Sequence, residues 1–257
     1  MRNATVSSSL ASALSRTARS LQAARREALA AAAVEETEWE YAGRTWSWPA
    51  GEELTYFHDL APEEATVLEA AETAHGFSVL AVGTGRVAVS LPADSVTAPE
   101  SNDRLIAKLA RYGPSAEMGD GRPQNRRECR IWSRVGSHPF LPVLNADESG
   151  EGDRDNSDAE HGGSSDMTGP DAADVDDGGD WLVMPRATVP PPEPVRETAL
   201  DRVRESLAAH TGTFHFDELK PENVGVYDDR YWIVDYGRPP GDPLFVDPPT
   251  GPERSPF

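Results

Sequence analysis

Phe214-His215-Phe216-Asp217-Glu218-Leu219-Lys220-Pro221-Glu222-Asn223, followed a short way on by Asp235-Tyr236-Gly237, decides how this chain is read. Three carboxylates (Asp217, Glu218 and Glu222), a lysine and an asparagine fall within seven residues, and a further aspartate lies beyond a predicted hairpin. The lysine stands out. The chain carries 22 arginines and two lysines, Lys220 and Lys108. Lys108 falls in the apolar run Leu105-Ile106-Ala107-Lys108, which reads as a strand. An unpaired ammonium in such a strand is costly, so a partner is expected.

Composition limits the alternatives. The net charge of −20 argues against non-specific binding to nucleic acid or to an anionic membrane. No apolar run approaches the ~18 residues of a spanning helix. The single Cys129 excludes an intrachain disulfide framework and a cysteine zinc site. A cytoplasmic protein is the expectation. Residues 145–180 hold 13 Asp/Glu and one Arg, which accounts for −12 of the −20. Acidity with scarce lysine suggests a high-salt (halophilic) cytoplasm, such as that of a halophilic archaeon or one of its viruses.

Along the chain, residues 7–34 read as a helix, with Leu10, Leu14, Leu21 and Leu29 near one face. A partly exposed N-terminal helix is the plain reading, although the Ser/Ala/Arg content also suits a transit peptide. Residues 38–41 and 45–48 alternate as a hairpin, and 62–74 form a short helix opened by a proline. Strands are expected at 77–82, 86–91, 104–110, 140–144 and 181–186, with a helix over 124–135 before the last two. Residues 145–180 lack periodicity and are expected to be disordered. Residues 196–210 read as a helix, and 224–227 with 231–234 as a hairpin. The last 20 residues are proline-rich and expected to be irregular.

In this order the elements resemble the protein-kinase fold over about residues 77–237. Val82-Gly83-Thr84-Gly85-Arg86-Val87-Ala88 is similar to the glycine-rich loop that covers ATP phosphates, with Ala88 in place of a third glycine. Lys108 looks like the phosphate-binding lysine, and Glu128 like its ion-pair partner on the following helix. Trp181-Leu182-Val183-Met184-Pro185-Arg186 resembles the hinge strand whose backbone, around Met184, would hold adenine; Pro185 removes one donor. Glu218-Leu219-Lys220-Pro221-Glu222-Asn223 resembles the catalytic loop Asp-Leu-Lys-Pro-Glu-Asn, and Asp235-Tyr236-Gly237 resembles Asp-Phe-Gly. The resemblance implies ATP and Mg²⁺ as cofactors. Asn223 and Asp235 would hold the metal, Lys220 would neutralise transferred charge, and Asp217 or Glu218 would be the base.

Two departures accompany it. Counted back from Asn223, the base position holds Glu218, and Asp217 stands one residue earlier. After Asp-Tyr-Gly, nothing resembles an activation loop or a peptide-docking lobe, as in minimal kinase-like proteins of viruses and archaea.

The expected fold is therefore α+β, kinase-like and two-lobed. Residues 1–75 form a helix and hairpin extension. Residues 76–186 form an antiparallel β-sheet N-lobe with the acidic insert, and 187–257 a reduced helical C-lobe. The expected activity is phosphoryl transfer from ATP to a protein Ser/Thr hydroxyl, with a protein substrate or partner. The alternative is a catalytically impaired pseudokinase that binds nucleotide or acts as a scaffold. A small-molecule phosphotransferase is a third reading.

Overall fold

A computed structural model describes residues 5–32, 36–41, 44–49, 59–92, 96–97, 104–113, 119–147, 178–208 and 219–237. The architecture is α+β, organised on one five-stranded antiparallel sheet. In chain order the elements before that sheet are β1 (Thr5–Val6), α1 (Ser8–Ala32), β2 (Glu36–Tyr41), β3 (Arg44–Pro49) and α2 (Pro62–His75). The sheet takes β4 (Ser78–Val82), β5 (Arg86–Ser90), β7 (Leu105–Ala110), β8 (Asn145–Ala146) and β9 (Trp181–Pro185), in the order β4-β5-β7-β9-β8. Between β5 and β7, β6 (Val96–Thr97) pairs with β1; between β7 and β8 comes α3 (Gly121–Val135). The chain then forms α4 (Arg196–Ala208) and the hairpin of β10 (Val224–Tyr227) and β11 (Arg230–Ile233). That hairpin turns through Asp228 and Asp229, both at positive φ (49° and 55°), as a two-residue turn between right-twisted strands requires.

Successive strand residues point to opposite faces of a sheet. Here each face has its own core. Val87, Val89, Leu105, Ala107, Leu109, Trp181 and Val183 pack with Leu10, Leu14 and Leu21 of α1 and Leu68 of α2. Leu182 and Met184 point the other way, into a second core with Ile131 of α3, Ala199 and Val203 of α4, and Val224, Trp232 and Tyr236. β7 is therefore covered on both sides, which explains why its sequence reads as a continuous apolar run rather than an alternating one.

α1 is partly exposed, as expected: Ser12, Arg16, Ser20 and Glu27 face outward, and Leu10, Leu14, Leu21 and Leu29 form the buried face. Leu14 and Leu21 are fully buried, the helix packs on α2, β7 and β9, and Trp181 Nε1 donates to Ser15 Oγ at 2.8 Å. The core thus runs straight across residue 75, where the sequence suggested a boundary. α3 begins before the expected residue 124. Asp120 caps it by accepting from the Arg122 backbone N–H at 3.0 Å, and Pro123 fits the first turn.

Two expectations are corrected. Residues 140–144 do not form a strand. Phe140 makes one parallel bridge to Ile233, the Leu141 N–H goes to Ile233 O, and the Leu144 N–H goes to Val183 O, so the segment passes between two partners. Strand pairing starts only at Asn145. The acidic stretch is ordered at both ends. Asn145 and Ala146 form the edge strand, and Asp180 is buried, accepting from Arg19 Nε at 2.8 Å and Gln22 Nε2 at 3.0 Å on α1. Residues 148–177 lie outside the described residues. Among the described residues no helix is long and apolar enough to cross a membrane.

Candidate functional site

The register of the sheet builds the site. Ala88 on β5 lies opposite Lys108 on β7, and Lys108 lies opposite Leu182 on β9. Residues 86, 88 and 108 thus share the face that looks toward α3. The Lys108 ammonium donates to both carboxylate oxygens of Glu128 at 2.9 Å and to the backbone carbonyl of Val234 at 2.5 Å. An ammonium has three protons, and these three contacts use them all. Burial lowers the Lys108 pKa, and the neighbouring Arg86 lowers it further, against the opposing pull of Glu128 and Asp235.

Glu128 is fully buried and collects more than the lysine. Its Oε1 also accepts from Arg86 NH1 at 2.8 Å and from the Tyr236 backbone N–H at 3.1 Å. Arg86 spans the site. Its other terminal nitrogen pairs with the Asp235 carboxylate, and NH1 also reaches Asn125 Oδ1 at 3.4 Å. Burial works against the Arg86 charge, but Glu128 first and Asp235 second outweigh it and hold the guanidinium pKa above its ordinary value. Among the described residues the cluster holds two cations, Lys108 and Arg86, against two anions, Glu128 and Asp235. Asn125 fixes its side, donating to Lys108 O at 3.3 Å and Gly179 O at 2.9 Å.

The Gly83–Arg86 turn closes with Gly83 N–H donating to Arg86 O at 2.8 Å. Neither Gly83 nor Gly85 takes a positive φ, so what distinguishes Gly85 is close approach. A Cβ there would lie 2.5 Å from Gln124 Nε2 and 3.1 Å from Gly119 O. The turn is gripped from the far face of the sheet. Arg111 NH1 donates to Gly83 O at 2.6 Å, the Arg111 backbone N–H to Gly85 O at 2.7 Å, and Arg25 NH1 to Thr84 O at 2.6 Å. Arg111 is itself held by Glu64 of α2 through Nε at 2.8 Å and NH2 at 2.7 Å, with both side chains fully buried. Burial, and then Arg111, lower the Arg25 pKa to about 10, although Glu64 opposes.

Of the residues singled out from sequence, Lys108, Glu128 and Asp235 meet in one cluster. Asn223 adjoins it through its backbone: the Val234 N–H donates to Asn223 O at 2.8 Å. The Asn223 side-chain oxygen accepts from the Lys220 N–H at 3.3 Å, and the Lys220 side chain is exposed. Met184 is fully buried in the second core, opposite Ile106. Asp217 and Glu218 lie outside the described residues. Sequence reasoning missed Arg86, and missed Arg25, Arg111 and Asn125 as supports. The available signal for Arg86 was its place two residues before Ala88 on the face of Lys108.

The expected metal donors do not fit a dication in this arrangement. The Asp235 carboxylate carries a guanidinium, and a dication there would sit against a like charge. Among the described residues no group of three His, Cys, Asp or Glu side chains gathers as a metal site. No protein-family model matches the chain, and no curated protein matches it as a relative.

Proposed function

We propose that this chain is a kinase-like nucleotide-binding protein, with phosphoryl transfer from ATP to a protein hydroxyl as its reaction. The observation that carries the reading is the buried Lys108–Glu128 pair, joining the third strand of a β4-β5-β7-β9-β8 sheet to the helix that follows it. That strand order and that pair are what the kinase resemblance implies for an N-lobe. The hairpin β10–β11 supports the same reading, because it brings Asn223 and Asp235 to adjoining backbone positions.

In the reaction the substrate hydroxyl oxygen attacks the γ-phosphorus and its proton passes to Asp217 or Glu218. The bond to the β-phosphate oxygen breaks and ADP leaves. Lys220, exposed at the start of the Pro221–Asn223 turn, can reach outward to the transferred group. Incubation with γ-labelled ATP is expected to label the protein or a partner, and Lys220→Ala, at an exposed position, to abolish the label. Label persisting in Lys220→Ala would overturn the assignment.

A second reading, a nucleotide-binding module without turnover, is favoured by the Arg86–Asp235 contact and by the three contacts that use every Lys108 proton. Under it, ATP raises the melting temperature but no label transfers. A chain that neither shifts nor labels with ATP fits neither reading.

A further inference from the structure

Arg86 fills the position where this site needs a cation. It follows directly on the Gly83-Thr84-Gly85 turn and lies on the same sheet face as Lys108. Its planar fork joins two carboxylates from distant parts of the chain, Glu128 on α3 and Asp235 beyond β11. Its side chain is 8% exposed, whereas that of Asp235 is 45% exposed, so the guanidinium is the inner partner and the carboxylate the outer one. Among the described residues, Arg86 and Lys108 stand two against two with Glu128 and Asp235. A dication added at Asp235 would first have to displace a buried guanidinium.

We propose that Arg86 takes the place of a divalent metal here, so that the site binds a nucleoside triphosphate without one. The proposal rests on the nucleotide-binding reading above. Arg and Lys both recognise phosphate oxygens, and a guanidinium does so through two donors at once. An incoming phosphate competes with Asp235 for the Arg86 fork. The carboxylate thereby acts as a built-in competitor for anions rather than as a metal ligand.

The test is ATP binding to the full chain, read by calorimetry and by melting temperature. It is run once with EDTA and once with excess MgCl₂. The expected result is the same affinity, to about twofold, in both. In Asp235→Asn the competing charge is gone and Arg86 is freed for phosphate, so metal-free ATP should bind several-fold tighter. Arg86→Gln should weaken metal-free binding by about tenfold, the size of one charge-assisted contact. It should also make the remainder respond to Mg²⁺.

Binding that is tenfold or more tighter with MgCl₂ in the parent chain overturns the proposal while the nucleotide-binding reading stands. So does loss of binding in Asp235→Asn. Should ATP bind under neither condition, the reading and the proposal fall together. The parent chain and Asp235→Asn decide the matter even if Arg86→Gln does not fold.

Discussion

Arg86, the first residue of β5, is ion-paired with Asp235, 149 residues further along the chain. The contact ties the turn before β5 to the segment after β11, with Glu128 held between Arg86 and Lys108. Removing the shared anion is therefore worse than removing either cation. Glu128→Ala leaves two buried cations without their common partner and should cost ~3–5 kcal/mol. Lys108→Met should cost less, because Glu128 keeps Arg86 and the Tyr236 N–H. Urea denaturation of the two variants measures the order, and the reverse order would contradict this account of the cluster.

Behind the sheet, Glu64 and Arg111 form the second buried ion pair, and Arg111 also carries the Gly83 carbonyl. Glu64→Ala leaves Arg111 and the nearby Arg25 as two buried like charges. We expect a loss of ~3–5 kcal/mol and weaker amide-exchange protection in the Gly83–Arg86 turn. Unchanged protection in that turn would show that Arg111 does not hold it.

Tyr236 gives a pH signature. Burial, then Glu128 and Cys129, push its phenol well above the ordinary value of 10.0, against the pull of Arg86. Its hydroxyl donates to Leu141 O at 2.7 Å. Below pH 10 the phenol is protonated in both folded and unfolded chains and adds no pH dependence. Above pH 10 the unfolded chain loses the proton first, so stability falls by up to ~1.4 kcal/mol per pH unit. The lowered pKa values of Lys108 and Arg25 act in the opposite sense at alkaline pH, so the comparison must be with Tyr236→Phe, in which both remain. The parent should exceed Tyr236→Phe by ~1 kcal/mol up to pH 10, and the gap should close above it. Parallel curves to pH 11 would rule the phenol out.

Gly121 opens α3 where a Cβ would overlap the Gly85 carbonyl oxygen and lie 2.8 Å from Ala110 Cα. All of these are backbone atoms, so no side chain can swing aside. Gly121→Ala should push α3 from the turn and destabilise by ~1–3 kcal/mol, although alanine favours helices. Gly136→Ala, at φ 58° but with its nearest neighbour 3.8 Å away, tests backbone strain without a clash. Equal losses in the two would show that crowding at Gly121 is not the cause.

Much of this was legible in the residues. Lys108 in an apolar strand demanded a partner, and Glu128 met the demand. The hairpin around Asp228-Asp229-Arg230 and the Pro62 helix start were local signals, although Arg230 proves to be the first residue of β11 rather than part of the turn. Arg86 was hidden for a physical reason. In a chain with 22 arginines, one more carries no information until strand register sets it beside Lys108. α1 was legible as well, because Leu10, Leu14, Leu21 and Leu29 mark its buried face; what the sequence did not show was that this face packs against α2 and the sheet. The strand expected at 140–144 failed because its apolar residues serve the second core rather than a ladder. Asp180 looked like the end of a solvated acidic run, and only the approach of Arg19 and Gln22 from α1 makes it structural.

β7 has no outside. Its odd-numbered residues belong to one core; on the other face Ile106 packs against the second core, Lys108, the strand's one charge, pairs with Glu128, and Ala110 is buried. Most strands offer evolution a tolerant side, where drift can run while the fold holds. This one offers none, so it is where related chains, however far their loops and tails have wandered, would be held closest to one another.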